Sequence, residues 1–257
     1  MGVREDSERR ESYDASFRRK AISDDPSLQD GRFVGQEFPL SVKLTVHPSD
    51  NGIIVINYPG ALGDIDGYNN KYATLGNHVQ QNVGAVIRTD NPVYAGFKYD
   101  VSVREHLKVV IDYALKNAVE ISGVKTDDVV IYLVGFSAGS SAIAAVAHEY
   151  PQVKKILLMA PSGDAGQEAI TEGLRKYTGE CHIVIGENDE VVGKDAGSFF
   201  ASLATGASVV RSVVIPNCDH QFRGERNGRI MSAAPLWAFS DPDSENPSPE
   251  KGVKLYD

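Results

Sequence analysis

Residues 129–142 read Val-Val-Ile-Tyr-Leu-Val-Gly-Phe-Ser-Ala-Gly-Ser-Ser-Ala. The first six form an almost unbroken apolar run of the kind a strand covered on both faces requires. They pass straight into Gly135-Phe136-Ser137-Ala138-Gly139, and the Ala-rich residues 138–150 beyond read as a helix. A Gly-x-Ser-x-Gly pentapeptide alone is weak evidence. On a sharp turn between a buried strand and a helix it gains meaning: the serine takes strained backbone angles and its hydroxyl projects above the sheet edge. Side chains at the flanking positions would strike the neighbouring strand or helix, a need that Gly135 and Gly139 meet. Ser140, Ser141 and Ala142 keep the first helical turn slim.

The same alternation extends both ways. Upstream, residues 38–46 (FPLSVKLTV) alternate apolar and polar as a half-exposed strand. Residues 53–57 (IIVIN) and 85–88 (AVIR) are short buried strands ending at turns, and residues 101–121 carry an amphipathic helical spacing. Downstream, strands are expected at 155–159, 182–185 and 209–215, with helices at 166–177 and 194–203. Strand and helix in alternation predict an α/β three-layer sandwich around a mostly parallel sheet of about six to eight strands.

The ends differ. Residues 1–32 hold seven Lys/Arg against eight Asp/Glu with few large apolar side chains, and are expected to form a charged arm, mobile or docked elsewhere. Such an arm suits a partner or a second copy of the chain, as in a homo-oligomer. Residues 240–257, rich in Pro, Ser and acid, read as a tail of the same kind, which leaves 33–239 as the folded domain.

The chain has 257 residues, with 26 basic and 35 acidic side chains and a formal net charge of −9. That balance argues against a nucleic-acid binder or a polybasic membrane-surface protein. No apolar run approaches the roughly 20 residues of a membrane span, and the N-terminus lacks a signal-peptide centre, so a cytoplasmic location is expected. The two cysteines exclude a disulfide scaffold and a Cys-based zinc site. Cys181 precedes one strand and Cys218 follows another, about 15–20 Å apart across the sheet, too far for a disulfide.

A serine hydroxyl needs a base. Of six histidines, His220 stands just past the last buried strand, in Pro-Asn-Cys-Asp-His-Gln-Phe at 216–222. Loops after parallel strands share one edge, so Ser137 and His220 are expected to meet there. His47, His106, His148 and His182 fall within or at the ends of elements, and His78 keeps a small claim to touch substrate. The base in turn needs a carboxylate. Asp189, in Gly-Glu-Asn-Asp-Glu-Val-Val at 186–192, is the choice. Asp164 is its rival, and Asp219 is too close to His220 in sequence to face it. For an oxyanion, the donors expected are the N–H groups of Ala138 and of Ala61, the latter in the turn Pro59-Gly60-Ala61.

At these residues the chain resembles the α/β-hydrolase superfamily, specifically serine esterases without a large cap domain. The resemblance covers roughly residues 35–237. It rests on the elbow GFSAG, the acid loop GENDEVV, the histidine loop DHQF and the order Ser, Asp, His. Tyr58-Pro59-Gly60-Ala61 departs from the His-Gly-type oxyanion segments of the family. About 22 residues separate the strands ending at Met159 and starting at His182, which leaves no room for an inserted lid. The resemblance implies attack by Ser137 on an acyl carbonyl, with His220 as base and Asp189 behind it, and needs no cofactor or metal. It implies a small soluble ester as substrate; a peptidase, thioesterase, acyltransferase or non-catalytic binding protein on the same fold are the alternatives. Residues 62–75 (LGDIDGYNNKYATL) are expected to wall the mouth, with Tyr68, Phe136 and Arg223 as substrate contacts.

Overall fold

Side chains that alternate along a strand demand cover on both faces of a sheet, and the computed structural model, which describes residues 8–18, 35–92 and 101–255, supplies it. Eight strands run β1 (Arg9–Arg18), β2 (Glu37–His47), β3 (Ile53–Tyr58), β4 (Ala85–Thr89), β5 (Val130–Phe136), β6 (Val153–Met159), β7 (Glu180–Gly186) and β8 (Val209–Ile215). Their order across the sheet is β1-β2-β4-β3-β5-β6-β7-β8. β1 pairs antiparallel with β2, and β2 with β4. All later pairings are parallel.

Helices α1 (Lys71–Asn82), α2 (Val103–Lys116), α3 (Ala118–Ser122), α4 (Ala138–Val146), α5 (Gln167–Lys176), α6 (Ala196–Leu203) and α7 (Glu225–Ser240) cover the sheet. Ile54, Ile56, Ile131 and Leu133 point into one core with α2, α4 and α5. Val55, Val134, Leu157 and Met159 point into the other with α1 and α7. The result is the expected three-layer α/β sandwich. No helix among the described residues is long and apolar enough to cross a membrane. Cys181 and Cys218 are both buried free thiols.

The structure revises the ends. Arg9–Arg18, inside the expected charged arm, is a ten-residue edge strand. Arg10, Asp14 and Arg18 take exposed positions on one face with Ser12 and Ser16, while on the other face Phe17 is buried and Tyr13 and Ala15 pack on the core. Tyr13 meets the Tyr113 ring edge-on at 5.4 Å. Composition concealed this strand, because its apolar set is only every second residue. The rest of that arm, 1–7 and 19–32, lies outside the described residues, as do residues 33 and 34. The expected tail likewise lies along α7 through residue 255: the Trp237 indole N–H donates to the Ser244 carbonyl at 3.0 Å, and Leu255 is buried. Residues 256–257 are outside the described set.

Candidate active site

Parallel strands deliver their following loops to one edge, and the loops after β3, β5, β6, β7 and β8 meet above the sheet. At the end of β5, Ser137 holds φ 51° and ψ −116°, a region that non-glycine residues enter only under constraint. The constraint is visible on both sides. A Cβ on Gly135 would stand 2.6 Å from the Ser140 backbone, and one on Gly139 would collide with the Tyr58 carbonyl oxygen. The Ser137 N–H donates to the Met159 carbonyl at 2.9 Å, which ties the turn to β6.

His220 Nε2 lies 3.2 Å from Ser137 Oγ, and His220 Nδ1 lies 2.8 Å from Asp189 Oδ2. The other Asp189 oxygen accepts the Val191 and Val192 N–H groups at 2.9 and 3.0 Å. Those bonds hold the carboxylate in register for the imidazole. The acid and histidine loops are also joined to each other. The Asn188 N–H donates to the Cys218 carbonyl at 2.9 Å, and the Asn217 N–H to Glu187 Oε2 at 3.1 Å. Phe222 is fully buried and anchors the far side of the histidine loop.

Facing Ser137 across the edge is the turn after β3. A Cβ on Gly60 would stand 2.9 Å from the Phe136 ring and 3.1 Å from Ser137 Cβ, so the glycine lets this backbone close on the serine. The Gly63 N–H donates to the Gly60 carbonyl at 2.9 Å and shapes the turn without using the Ala61 N–H. Residues at the end of β4 brace it from below. Asn91 donates its side-chain amide to the Pro59 carbonyl at 3.2 Å, and Asp90 Oδ1 accepts the Ile65 N–H at 2.6 Å. Burial pushes the Asp90 carboxyl above the usual carboxylate range. Ala138 is the first residue of α4, so its N–H has no acceptor within the helix.

Three clefts adjoin the serine. A cleft of about 790 Å³ contains Ser137 itself, with Ile170, Val191, Val192, Phe199 and Phe200 among its walls. Another of about 600 Å³ is bordered by Ala61 and Ala138 on one side and Arg104, Lys108 and Glu149 on the other. The third, about 280 Å³, lies between Ala61, Tyr68, Lys71, Tyr72, Phe136 and Gln221.

Ser137, His220 and Asp189 are thus brought together, and Tyr68 and Phe136 line a common cleft. Asp164 is elsewhere: it takes the Ser162 hydroxyl and borders a cleft without reaching His220. Asp219 pairs with Arg223 at 3.3 Å. Arg223 lines none of the three clefts, and its side chain is 76% exposed. His78 is committed to the Lys251 carbonyl at 2.9 Å. Residues 71–82 are helix α1, not loop as far as residue 75. Asp90, Asn91 and Lys71 carry no sequence signal, because their place at the site depends on strand order and on helix docking.

No protein-family model matches the sequence, and no curated protein does. Solved structures do. Est1E from Butyrivibrio proteoclasticus superposes with a TM-score of 0.59 at 16% identity, covering 80% of this chain and 96% of that one. The esterase domain of a Rhodothermus marinus protein gives 0.59 at 15% identity, over 89% and 98% of the two chains. An α/β serine hydrolase homologue from Coxiella burnetii gives 0.55 at 21% identity, over 71% and 85%. With its strand order, its parallel β3–β8 core and the elbow after β5, the chain has the fold of the α/β-hydrolase superfamily.

Proposed function

We propose that the protein is a serine hydrolase that cleaves small carboxylic esters through an acyl-enzyme. The observation that carries this reading is the hydrogen-bonded chain from Ser137 Oγ through His220 to Asp189, built on a strained turn at an open cleft. In this reading His220 Nε2 takes the Ser137 proton as Oγ attacks the acyl carbonyl. Asp189 accepts from Nδ1, which fixes the tautomer and stabilises the imidazolium. The Ala138 and Ala61 N–H groups donate to the developing oxyanion. The imidazolium then protonates the departing alcohol, and a water deprotonated by His220 releases the acid. The names of the structural neighbours, an esterase and a serine hydrolase homologue among them, agree with a hydrolase.

Labelling with a fluorophosphonate tests the reading. Intact mass is expected to show one adduct on wild type and none on Ser137→Ala. Folded wild-type protein that takes no adduct would overturn it. A panel of esters of graded chain length then reports the acyl preference, with short chains expected to lead.

A further inference from the structure

Of the three clefts, the large one alone has Ser137 on its lining, so an ester arm that leaves the reacting carbonyl on that side enters it directly. Its apolar walls come from three separate elements. Ile170, from α5, is buried and belongs to the core. Phe199 and Phe200, from α6, meet edge to face with their ring centres 5.9 Å apart. Successive helical positions point about 100° apart. Phe200 turns into the core, and Phe199 is left at the cleft, 44% exposed. Val191 and Val192 come from the acid loop, and Val191 is 69% exposed. Singly, an exposed apolar side chain is ordinary on a protein surface. Val191 and Phe199, however, share one cavity with the proposed nucleophile.

The wall they make is stiff. The Val191 and Val192 N–H groups both donate to Asp189 Oδ1, so the backbone that fixes the carboxylate of the triad also fixes these two side chains. A β-branched side chain on a fixed backbone has little rotamer freedom left to lose when a ligand packs against it. The wall also lacks positive charge. Among the described residues the lining holds no lysine, arginine or histidine, and its charged members are Asp164 and Asp195, both exposed. The smaller clefts differ: Arg104, Lys108 and Glu149 border one, Asp64 and Lys71 the other. A carboxylate entering the large cleft would lose water, meet no cation and face two acids. A neutral ring would exchange water for apolar walls, and the two phenylalanines offer it both edge and face. At about 790 Å³ the cleft has room for a ring on a short linker. A ring is wide and short, so filling the cleft with one needs no long chain.

Resting on the serine-hydrolase reading, we infer that the Ser137 cleft is a subsite for an uncharged aryl group, and that Phe199 with Val191 selects esters that carry one on a short linker. The ring belongs either to the acyl arm or to the alcohol arm, and the substrates tested separate the two.

The test is steady-state hydrolysis of two pairs, followed by titration of the released acid. Methyl 3-phenylpropanoate against methyl propanoate reports the acyl arm, and 2-phenylethyl acetate against ethyl acetate the alcohol arm. In each pair the ring is insulated from the ester group by two methylenes, so intrinsic reactivity within a pair is alike. Wild type is expected to favour the ring-bearing member of at least one pair by about tenfold or more in kcat/KM, and a para-carboxylate on the ring to remove that advantage. Phe199→Ala is expected to bring the ratio to about threefold or less, and Phe199→Leu to keep part of it. The carboxylated ring needs no variant and decides the matter should Phe199→Ala fail to fold. Equal kcat/KM within both pairs, a ratio unchanged in Phe199→Ala, or a carboxylated ring as good as the plain one would overturn the subsite while leaving the hydrolase reading intact. So would turnover of none of these esters by protein that takes the fluorophosphonate adduct. Turnover of none together with no adduct would instead overturn the hydrolase reading itself.

Discussion

At the scale of single residues, geometry distinguishes groups that the chain order leaves equivalent. Three aspartates, Asp164, Asp189 and Asp219, follow strands at the same edge, yet only Asp189 lies within hydrogen-bond reach of His220, at 2.8 Å. Its second oxygen is held by two backbone donors, so the carboxylate has no room to turn away. Replacement of Ser137 or His220 by alanine should therefore lower ester turnover by roughly 10⁴-fold or more, with the melting curve retained. Asp189→Asn should cost about 10³–10⁴-fold, since the amide can no longer stabilise the imidazolium. Asp164→Asn should cost less than about tenfold. Steady-state rates on one chromogenic ester compare all four, and a loss in Asp164→Asn equal to that in Asp189→Asn would reassign the acid.

At the scale of elements, β1 is the departure with most consequence. It adds a ten-residue register to the edge of the sheet, from Arg9 opposite Val46 to Arg18 opposite Glu37. It also reaches the loop beside the cleft. Arg10 pairs with Asp66 at 2.8 Å, and Asp66 in turn pairs with the fully buried Arg88 at 2.8 Å. Glu8 approaches the same guanidinium at 3.1 Å. Phe17 fills the core beneath, 6.2 Å from the His106 ring and 6.4 Å from that of Phe38. Phe17→Ala should destabilise the fold by about 3 kcal/mol, read as a lower urea midpoint at unchanged slope. A midpoint equal to wild type would mean that this strand does not belong to the cooperative unit.

At the scale of the whole molecule, acid should act through buried histidines. His47, His106 and His182 are drawn down to about 4, 3 and 4, in each case chiefly by burial. The contacts of His47 agree: the Arg88 Nε–H donates to His47 Nε2 at 3.0 Å, which requires an unprotonated nitrogen there. In the unfolded chain these side chains protonate near pH 6.5. Between that value and about pH 4 the unfolded state therefore binds more protons, and stability falls as pH falls, by up to about 1.4 kcal/mol per pH unit for each histidine. Above pH 7 the contribution is constant. Urea midpoints measured from pH 8 to 4.5 should be level at first and then drop. A level profile down to pH 5 would show that these groups are not buried neutral.

Local pattern carried much of this molecule. Buried strands such as 53–57 and 129–134 declare themselves because a strand covered on both faces must be apolar at nearly every position, whereas 209–215, mostly apolar in sequence and expected to be buried, is the edge strand β8 with Val209, Val210 and Val214 exposed. The elbow at Ser137 is legible because close packing at Gly135 and Gly139 excludes side chains. The order Ser137, Asp189, His220, each after a strand of one parallel sheet, was enough to bring the three to one edge. Other features depend on contacts distant in sequence. β1 is hidden by its many charges, and its apolar set Tyr13, Ala15 and Phe17 acquires meaning only against β2 and α2. α7 contains Gly228 and Pro235, residues that normally argue against a helix, and is held by burial beneath β6 and the C-terminal segment. The choice among three aspartates, and the placing of Lys71 beside Phe136, were decided by folding. Periodicity records how one element meets solvent, whereas side chains from separate elements meet only when strand order and helix docking set the distance between them.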